Sequence, residues 1–280
     1  MTRLTEHDVR RLSERLGEFE QSLRRVTGCG LLQIAAQAAD AGPGAATRLA
    51  GAGPGAAARL AGARLAVVPI SAGQGFIPGF AECVAAILSH LGADAFVTPE
   101  PDMRGLQAAA DGGAQAVFAA DDQRFIALNL HSGACVDDDP ATAAGFVAAL
   151  AAAAGGLAGR PVLVLGLGPV GRAAVARLRH LDADVLAVER DQARSDAAAA
   201  AGLDFRLVTL DEGLASCRLV VDATPSPDLV DASWVTEQSV AAVPGLPSAF
   251  TAAAQAALGD RHIHEPLALG VAVMAVQVLA

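Results

Sequence analysis

The sequence predicts an α/β protein of two domains: N-terminal helices with a small α/β substrate domain, then a Rossmann doubly wound parallel sheet. Three observations predict it. Residues 162–165 form a short apolar run of the kind that makes a fully buried parallel strand. Gly166, Gly168 and Gly171 follow at G-x-G-x-x-G spacing and open a breaker-free helical stretch beginning at Arg172. Upstream, apolar runs and helical stretches alternate between residues 65 and 122, which calls for a second βαβ sheet.

Each glycine of the turn has its own task. Gly166 permits the tight turn, Gly168 lets the backbone approach a pyrophosphate, and Gly171 lets helix and strand pack closely. Pro169 and Val170 complete the turn, and the phosphates would rest on the first helical amides, where unpaired N–H groups and the helix dipole favour negative charge. The next strand ends at Glu189, an acid about 20 residues past the glycines, as a dinucleotide site requires. Glu189 can accept hydrogen bonds from the adenine-ribose diol and would repel a 2'-phosphate, so the expected cofactor is NAD. Arg190 argues weakly for NADP. The alternative is a glycine-rich turn that binds no dinucleotide, and the placement of the acid weighs against it.

Composition narrows the function classes. Twenty basic residues against 30 acidic give a net charge of -10, with no basic stripe, so nucleic acid is not an expected partner. Lysine is absent, which excludes a lysine Schiff base. Cys29, Cys83, Cys135 and Cys217 lie far apart without a C-x-x-C, and no secretory signal is apparent, so reduced thiols in the cytoplasm are expected. His262 and His264 share one face of a strand if extended, but read as surface or loop histidines, and no metal is expected. No apolar run reaches the ~20 residues that span a bilayer, so no membrane partner is expected.

In chain order, Thr5-Glu-His-Asp8 reads as a capping box for a helix running to about Arg25, ended by glycines of the stretch 26–30. Residues 41–62 repeat an Ala-Gly-Pro-Gly-Ala-Ala motif in tandem and read as a low-complexity loop without a catalytic role. A strand at 65–70 leads through Ser71 and a glycine turn into a helix at 80–91. A strand at 95–98, a helix at 103–111 and a strand at 116–122 follow, the last ending in Asp121 and Asp122. Ligands of such sheets bind beyond the carboxyl ends of strands, so one of these acids is a site candidate; a solvated turn or helix cap is the alternative. Asp137, Asp138 and Asp139 favour the N-terminus of an alanine-rich helix at 140–155. Further strand ends at Thr224-Pro225, Pro244-Gly245 and Glu265 would face the nicotinamide. The expected division is residues 1–139, a linking helix at 140–159, a dinucleotide domain at 160–264 and a C-terminal helix at 265–280.

Taken together, these residues resemble the pyrrolysine-biosynthesis dehydrogenase family nearly end to end. The resemblance covers Leu4-Thr5, residues 25–28, Val68-Pro69 with the Ser-Ala-Gly-Gln-Gly turn, Ala120-Asp-Asp122 and Asn129-Leu130. It continues through the nucleotide turn, Ala223-Thr-Pro225, Pro244-Gly245 with Pro247, and Glu265-Pro-Leu267 with Gly270. The tandem duplication and the aspartates at 137–139 depart from the family pattern. By the resemblance, the chain oxidises the terminal amine of 3-methylornithyl-N6-lysine with NAD, and the imine hydrolyses and cyclises to the pyrroline ring. Asp121 would hold the substrate amine and help accept a proton. Leu4, Ser71 and Glu265 would line the same pocket, with Glu265 the second catalytic acid. The implied partner is therefore a small dipeptide-like amine, and a homodimer is left open. Two other readings remain: a shikimate-dehydrogenase-like or dipicolinate-synthase-like oxidoreductase, whose substrate site usually holds a lysine, and a non-catalytic dinucleotide sensor.

Overall fold

The computed structural model describes residues 6–40, 53–71 and 77–280. Three helices come first, α1 (Glu6–Thr27), α2 (Leu31–Asp40) and α3 (Gly53–Leu60). A first sheet follows from β1 (Arg64–Val68), α4 (Phe80–His90), β2 (Asp94–Val97), α5 (Asp102–Asp111), β3 (Ala116–Ala120), β4 (Phe125–Asn129) and β5 (Cys135–Asp137). Its strand order is β2-β1-β3-β4-β5, parallel through β3 and antiparallel beyond it. The antiparallel pair was not anticipated from the sequence, because β4 and β5 are short and only half-buried.

Helix α6 (Asp138–Ala154) leads into a second sheet. It is built from β6 (Pro161–Leu165), α7 (Pro169–His180), β7 (Asp184–Val188), α8 (Gln192–Ala200), β8 (Arg206–Leu207), α9 (Leu210–Ser216) and β9 (Leu219–Asp222). The chain then adds β10 (Val240–Ala242), α10 (Ala252–Leu258), β11 (His262–Ile263) and the final helix α11 (Ala268–Val278). All six strands are parallel in the order β11-β10-β9-β6-β7-β8. Central strands β6 and β9 are continuous apolar runs because helices cover both faces of the sheet.

Helices α6 and α11 join the two sheets into one core. Both are apolar nearly all round and almost wholly buried. They cross closely because Gly145 and Gly270 lack side chains: a Cβ on Gly145 would press on Leu269 and Val273 at 3.2 Å, and one on Gly270 would collide with Thr142 and Asp138. The N-terminal helices are tied to the second sheet by charge. Arg25 of α1 donates twice to Asp260, at 2.6 and 2.9 Å, and Ser22 donates to the same carboxylate at 2.7 Å. Arg177 of α7 donates to the carbonyl of Ala38 at 2.8 Å, at the end of α2.

The second copy of the tandem repeat corrects the expectation of a plain loop across 41–62. Gly53–Leu60 is helical, and Leu60 and Ala56 are 0% and 4% exposed, packed in the main core. Alanine has the highest helix propensity of any residue, and the repeat supplies three in a row shortly before a leucine. Burying that leucine is worth about 1.5–3 kcal/mol. Residues 41–52 lie outside the described residues, as do Leu4, Thr5 and residues 72–76.

Candidate active site

The carboxyl edge of the second sheet holds the nucleotide turn. Gly166 has φ +88°, a conformation that L side chains rarely adopt, and its N–H donates to Val188 at 2.8 Å. A Cβ on Gly171 would strike the carbonyl of Gly166, so turn and helix touch there backbone to backbone. Gly168 differs: no atom lies within 4 Å of where its Cβ would be. The protein itself does not require that glycine, which leaves an open cradle above the first turn of α7. No side chain caps that helix, and Pro169 at its first position has no N–H to satisfy. An open cradle, uncapped amides and a helix N-terminus fit a pyrophosphate.

Glu189, one residue past β7, reaches back to this turn. Its Oε2 accepts from Leu167 N at 2.8 Å and its Oε1 from Asp191 N at 3.0 Å. On the other side of β6, the ends of β9, β10 and β11 lie in order. Asp222, missed from the sequence, is buried at the end of β9, where it accepts from Thr224 N at 3.1 Å and Ala249 N at 2.7 Å. Burial pushes its carboxyl up to about 7. The signal was a lone acid closing the apolar run 219–222. Thr224 is half-buried, Pro225 exposed, and Pro244 and Gly245 buried; Gly245 N donates to Asp222 O at 2.8 Å.

Glu265 follows β11 and caps α11, its Oε2 accepting from the N–H groups of Leu267 and Ala268. It is 6% exposed, and its buried Oε1 has no hydrogen-bond partner. Burial pushes the carboxyl up to about 7, and the Cys83 thiol beside it up to about 12, so that cysteine is not a thiolate nucleophile. Asp121 presents the opposite picture. Strand β3 stops at Ala120, and Asp121 sits exposed in the turn, where Gln123 N and Arg124 N each donate to its Oδ1 at 2.8 Å. Those two bonds hold its carboxyl below the usual carboxylate range. Ser71 is exposed at the end of the first strand, and its N–H and hydroxyl both donate to Asp102.

The N-terminus of α6 links these acids. Arg124, in the Asp121 turn, pairs with Asp137 at 3.1 Å, and Asp137 caps α6 by accepting from Asp139 N at 3.2 Å. Asp138, next along, accepts from Thr142 at 3.0 Å and packs against Gly270 in the first turn of α11, the helix that Glu265 caps. Only Asp137 of the three aspartates acts as the simple helix-terminal anion expected. Asp138 is half-buried and pushed up to about 7 by burial, which disfavours its charged form.

The histidine pair also departs from the surface-or-loop reading. His262 and His264 are half-buried, their rings 5.4 Å apart. His262 Nε2 meets Ser248 Oγ at 3.1 Å, and His264 Nδ1 meets the carbonyl of Val243 at 2.8 Å. A cavity of about 560 Å³ lies at the opposite edge, beside Arg160 and Val240 at the amino ends of β6 and β10, far from the nucleotide turn in the sheet.

Comparison with known proteins follows the same division. Residues 8–136 match the N-terminal domain of pyrrolysine biosynthesis protein PylD. Residues 139–235 match the NAD binding domain of D-isomer specific 2-hydroxyacid dehydrogenase. The chain is 29% identical over 280 residues to a pyrrolysine synthase of Methanosarcina acetivorans, covering 100% of both chains. It is 29% identical over 217 residues to a pyrrolysine synthase of Methanosarcina barkeri, covering 77% of this chain and 81% of that one. Among solved structures, shikimate 5-dehydrogenase of Thermus thermophilus superposes with a TM-score of 0.49 at 19% identity, over 77% of this chain and 92% of that one.

Fold, glycine turn and domain match define the class, an oxidoreductase with an NAD-binding Rossmann domain. Within that class the chain is PylD-like: its first half matches the PylD N-terminal domain, and its full length is similar to a pyrrolysine synthase.

Proposed function

We propose that this chain serves pyrrolysine biosynthesis by oxidising the terminal amine of 3-methylornithyl-N6-lysine with NAD, after which the imine hydrolyses and cyclises to the pyrroline ring. The observation that carries this reading is Glu265. It is a buried carboxyl with a partnerless oxygen at the carboxyl edge of the second sheet, in a chain similar throughout to pyrrolysine synthase. A buried acid poised near neutrality suits proton removal from an ammonium, typically worth ~10²–10⁴-fold.

Gly166, Gly168, Pro169, Val170 and Gly171 would cradle the pyrophosphate, and Glu189 would accept from the adenine ribose. Thr224, Pro225, Pro244 and Gly245 frame the nicotinamide, which when bound accepts a hydride and its two electrons. Everything else falls to side chains. Asp121, held below the carboxylate range, stays anionic and binds the substrate ammonium, with Ser71, past the end of the first strand, as a further contact. Glu265 takes the proton, so that the nitrogen lone pair can drive hydride departure. Water then adds to the imine carbon and ammonia leaves. The remaining amine closes the ring, a step that proximity alone accelerates.

The test is direct. Adding 3-methylornithyl-N6-lysine and NAD should produce reduced nicotinamide absorbance, with the pyrroline product visible by mass spectrometry. Activity with shikimate but not with this amine would overturn the reading.

A further inference from the structure

The geometry points to a second binding site, for an aliphatic α-amino acid, in the cavity at the amino edge of the second sheet. Arg160 takes the carboxylate of the ligand and Glu237 its ammonium. This edge is opposite the nucleotide turn, so the site goes beyond the reaction proposed above and does not depend on it.

The cavity, of about 560 Å³, falls within the ~300–1,000 Å³ of ordinary ligand pockets. It opens where the ends of α1 and α6 meet the starts of β6 and β10. Two of the five charges that line it are already matched. Arg25 is forked onto Asp260 and, with Ser22, holds that carboxyl down to about 2. The other three are Arg160, Arg261 and Glu237.

Arg160 is half-buried and anchored by one nitrogen. Its Nη1 donates to the carbonyls of Ala154 at 2.6 Å and Gly156 at 3.4 Å, at the end of α6. A guanidinium carries five N–H donors, and among the described residues nothing accepts from Nε or Nη2 of Arg160. That edge is a planar fork whose spacing matches the two oxygens of a carboxylate. Glu237 is exposed at the mouth and makes no hydrogen bond or ion pair among the described residues. Its turn is nonetheless fixed, because Arg261 donates to the carbonyls of Thr236 and Ser239 on either side of it.

Arg160 and Glu237 thus line one cavity with opposite charges and do not pair with each other. A zwitterion bridges such a gap with matching ends. A dianion such as phosphate would meet Glu237 as a like charge, and a simple amine would leave the Arg160 fork unused. The rest of the wall includes Val26, Val240 and Leu258, which suit an aliphatic side chain. A ligand held this way touches α1, α6 and the second sheet at once, beside the Arg25–Asp260 pair that already ties them.

Calorimetric titration of L-leucine into the full chain should show saturable binding, with or without NAD. Arg160→Gln should weaken it at least roughly tenfold, because the bonds lost join two charged groups. Glu237→Gln, at an exposed position, should weaken it about twofold to fivefold. L-leucinamide, which lacks the carboxylate, should bind alike to parent and Arg160→Gln. N-acetyl-L-leucine, which lacks the ammonium, should bind alike to parent and Glu237→Gln. Bound leucine should slow amide hydrogen exchange in residues 22–27 and 236–240. Absence of saturable leucine binding overturns the proposal, as does equal affinity in parent and Arg160→Gln. Slowed exchange at the nucleotide turn instead also overturns it, since that places leucine at the opposite edge. If Arg160→Gln does not fold, Glu237→Gln decides: a preference for leucine over N-acetyl-leucine that survives undiminished there counts against the site. The amine 3-methylornithyl-N6-lysine carries the same head group on a longer chain. Displacement of leucine by it supports the site with the proposed substrate as its source, and no displacement supports it with a free amino acid.

Discussion

One acid closes a strand edge in each half of the molecule, and the surroundings of the two differ as much as those of carboxyls can. Asp121, after β3, is exposed and bonded to two N–H groups of its own turn, which keeps it charged. Glu265, after β11, is buried with one oxygen unpartnered, which keeps it close to neutral. An ammonium-binding site wants the first property and a proton acceptor wants the second. The roles proposed for the two rest on this difference and not on residue type, since both are carboxylates.

Removing the buried acid gives the largest expected effect. Glu265→Gln preserves size and the cap on α11 but cannot accept a proton. The rate of NADH formation should fall by ~10²–10⁴-fold, with NAD affinity by calorimetry near parental. The parent rate should rise with pH through about 7 as the carboxyl ionises, and the variant should lose that limb. A variant that keeps both rate and limb places the base elsewhere.

Removing the exposed acid should cost less and show a different signature. Asp121→Asn keeps the turn, since the amide oxygen still accepts from Gln123 and Arg124, but loses the charge that holds an ammonium. A hydrogen bond to a charged group is worth about 1.5–3 kcal/mol, so kcat/KM should drop roughly tenfold to a hundredfold, mostly through KM. Asp122→Asn should be much milder. A kcat loss as large as that of Glu265→Gln, at unchanged KM, would erase the distinction between the two acids.

What the sequence made legible, and what it hid, follows the same contrast. The glycine turn, the acid at 189 and the apolar strands of the second sheet were readable because each has a local cause: a positive φ, a backbone contact, a run buried on both faces. The strand ends at 121 and 265 were readable as positions only. Whether an acid there is charged depends on what packs around it, and those partners are distant in sequence, as Cys83 is from Glu265. Asp138 and Asp222 were hidden for that reason. Helix α3 was hidden for another: proline and glycine in the repeat suggested a loop, but burial of Leu60 outweighed their propensities. Deleting residues 52–62 should therefore unfold or strongly destabilise the chain, where a plain loop would tolerate the loss.

The buried side of the comparison also leaves a mark on stability. Asp138, Asp222 and Glu265 are each raised to about 7, so the folded state binds protons that the unfolded chain releases near pH 4. Their full contribution is present below pH 4 and is lost as pH rises from there through 7. His262 opposes them: burial lowers it to about 3, so its contribution is present above 6.5 and is lost as pH falls toward 3. Three carboxyls outweigh one imidazole, so the melting temperature should be higher at pH 5.5 than at pH 7.5. Asp222→Asn should flatten that slope, and a melting temperature that rises with pH across this range would mean the acids are solvated.

Glu189 stands between the two extremes and should give the smallest effect. Like Asp121 it accepts from backbone N–H groups, and like Glu265 it is partly sheltered, with no kinetic step to perform. Each oxygen accepts one bond from Leu167 or Asp191 and keeps a second lone pair for a ribose hydroxyl. Glu189→Ala would remove the diol acceptor and the latch on the glycine turn together, costing NAD about 1 kcal/mol, roughly fivefold in Kd. NADP should lose nothing or gain, because the charge facing its 2'-phosphate is gone. Titrating both nucleotides into parent and variant measures this as a ratio, which cancels any general loosening of the turn. If NAD and NADP weaken equally, Glu189 only braces the glycine turn, and cofactor preference must be set elsewhere along the edge.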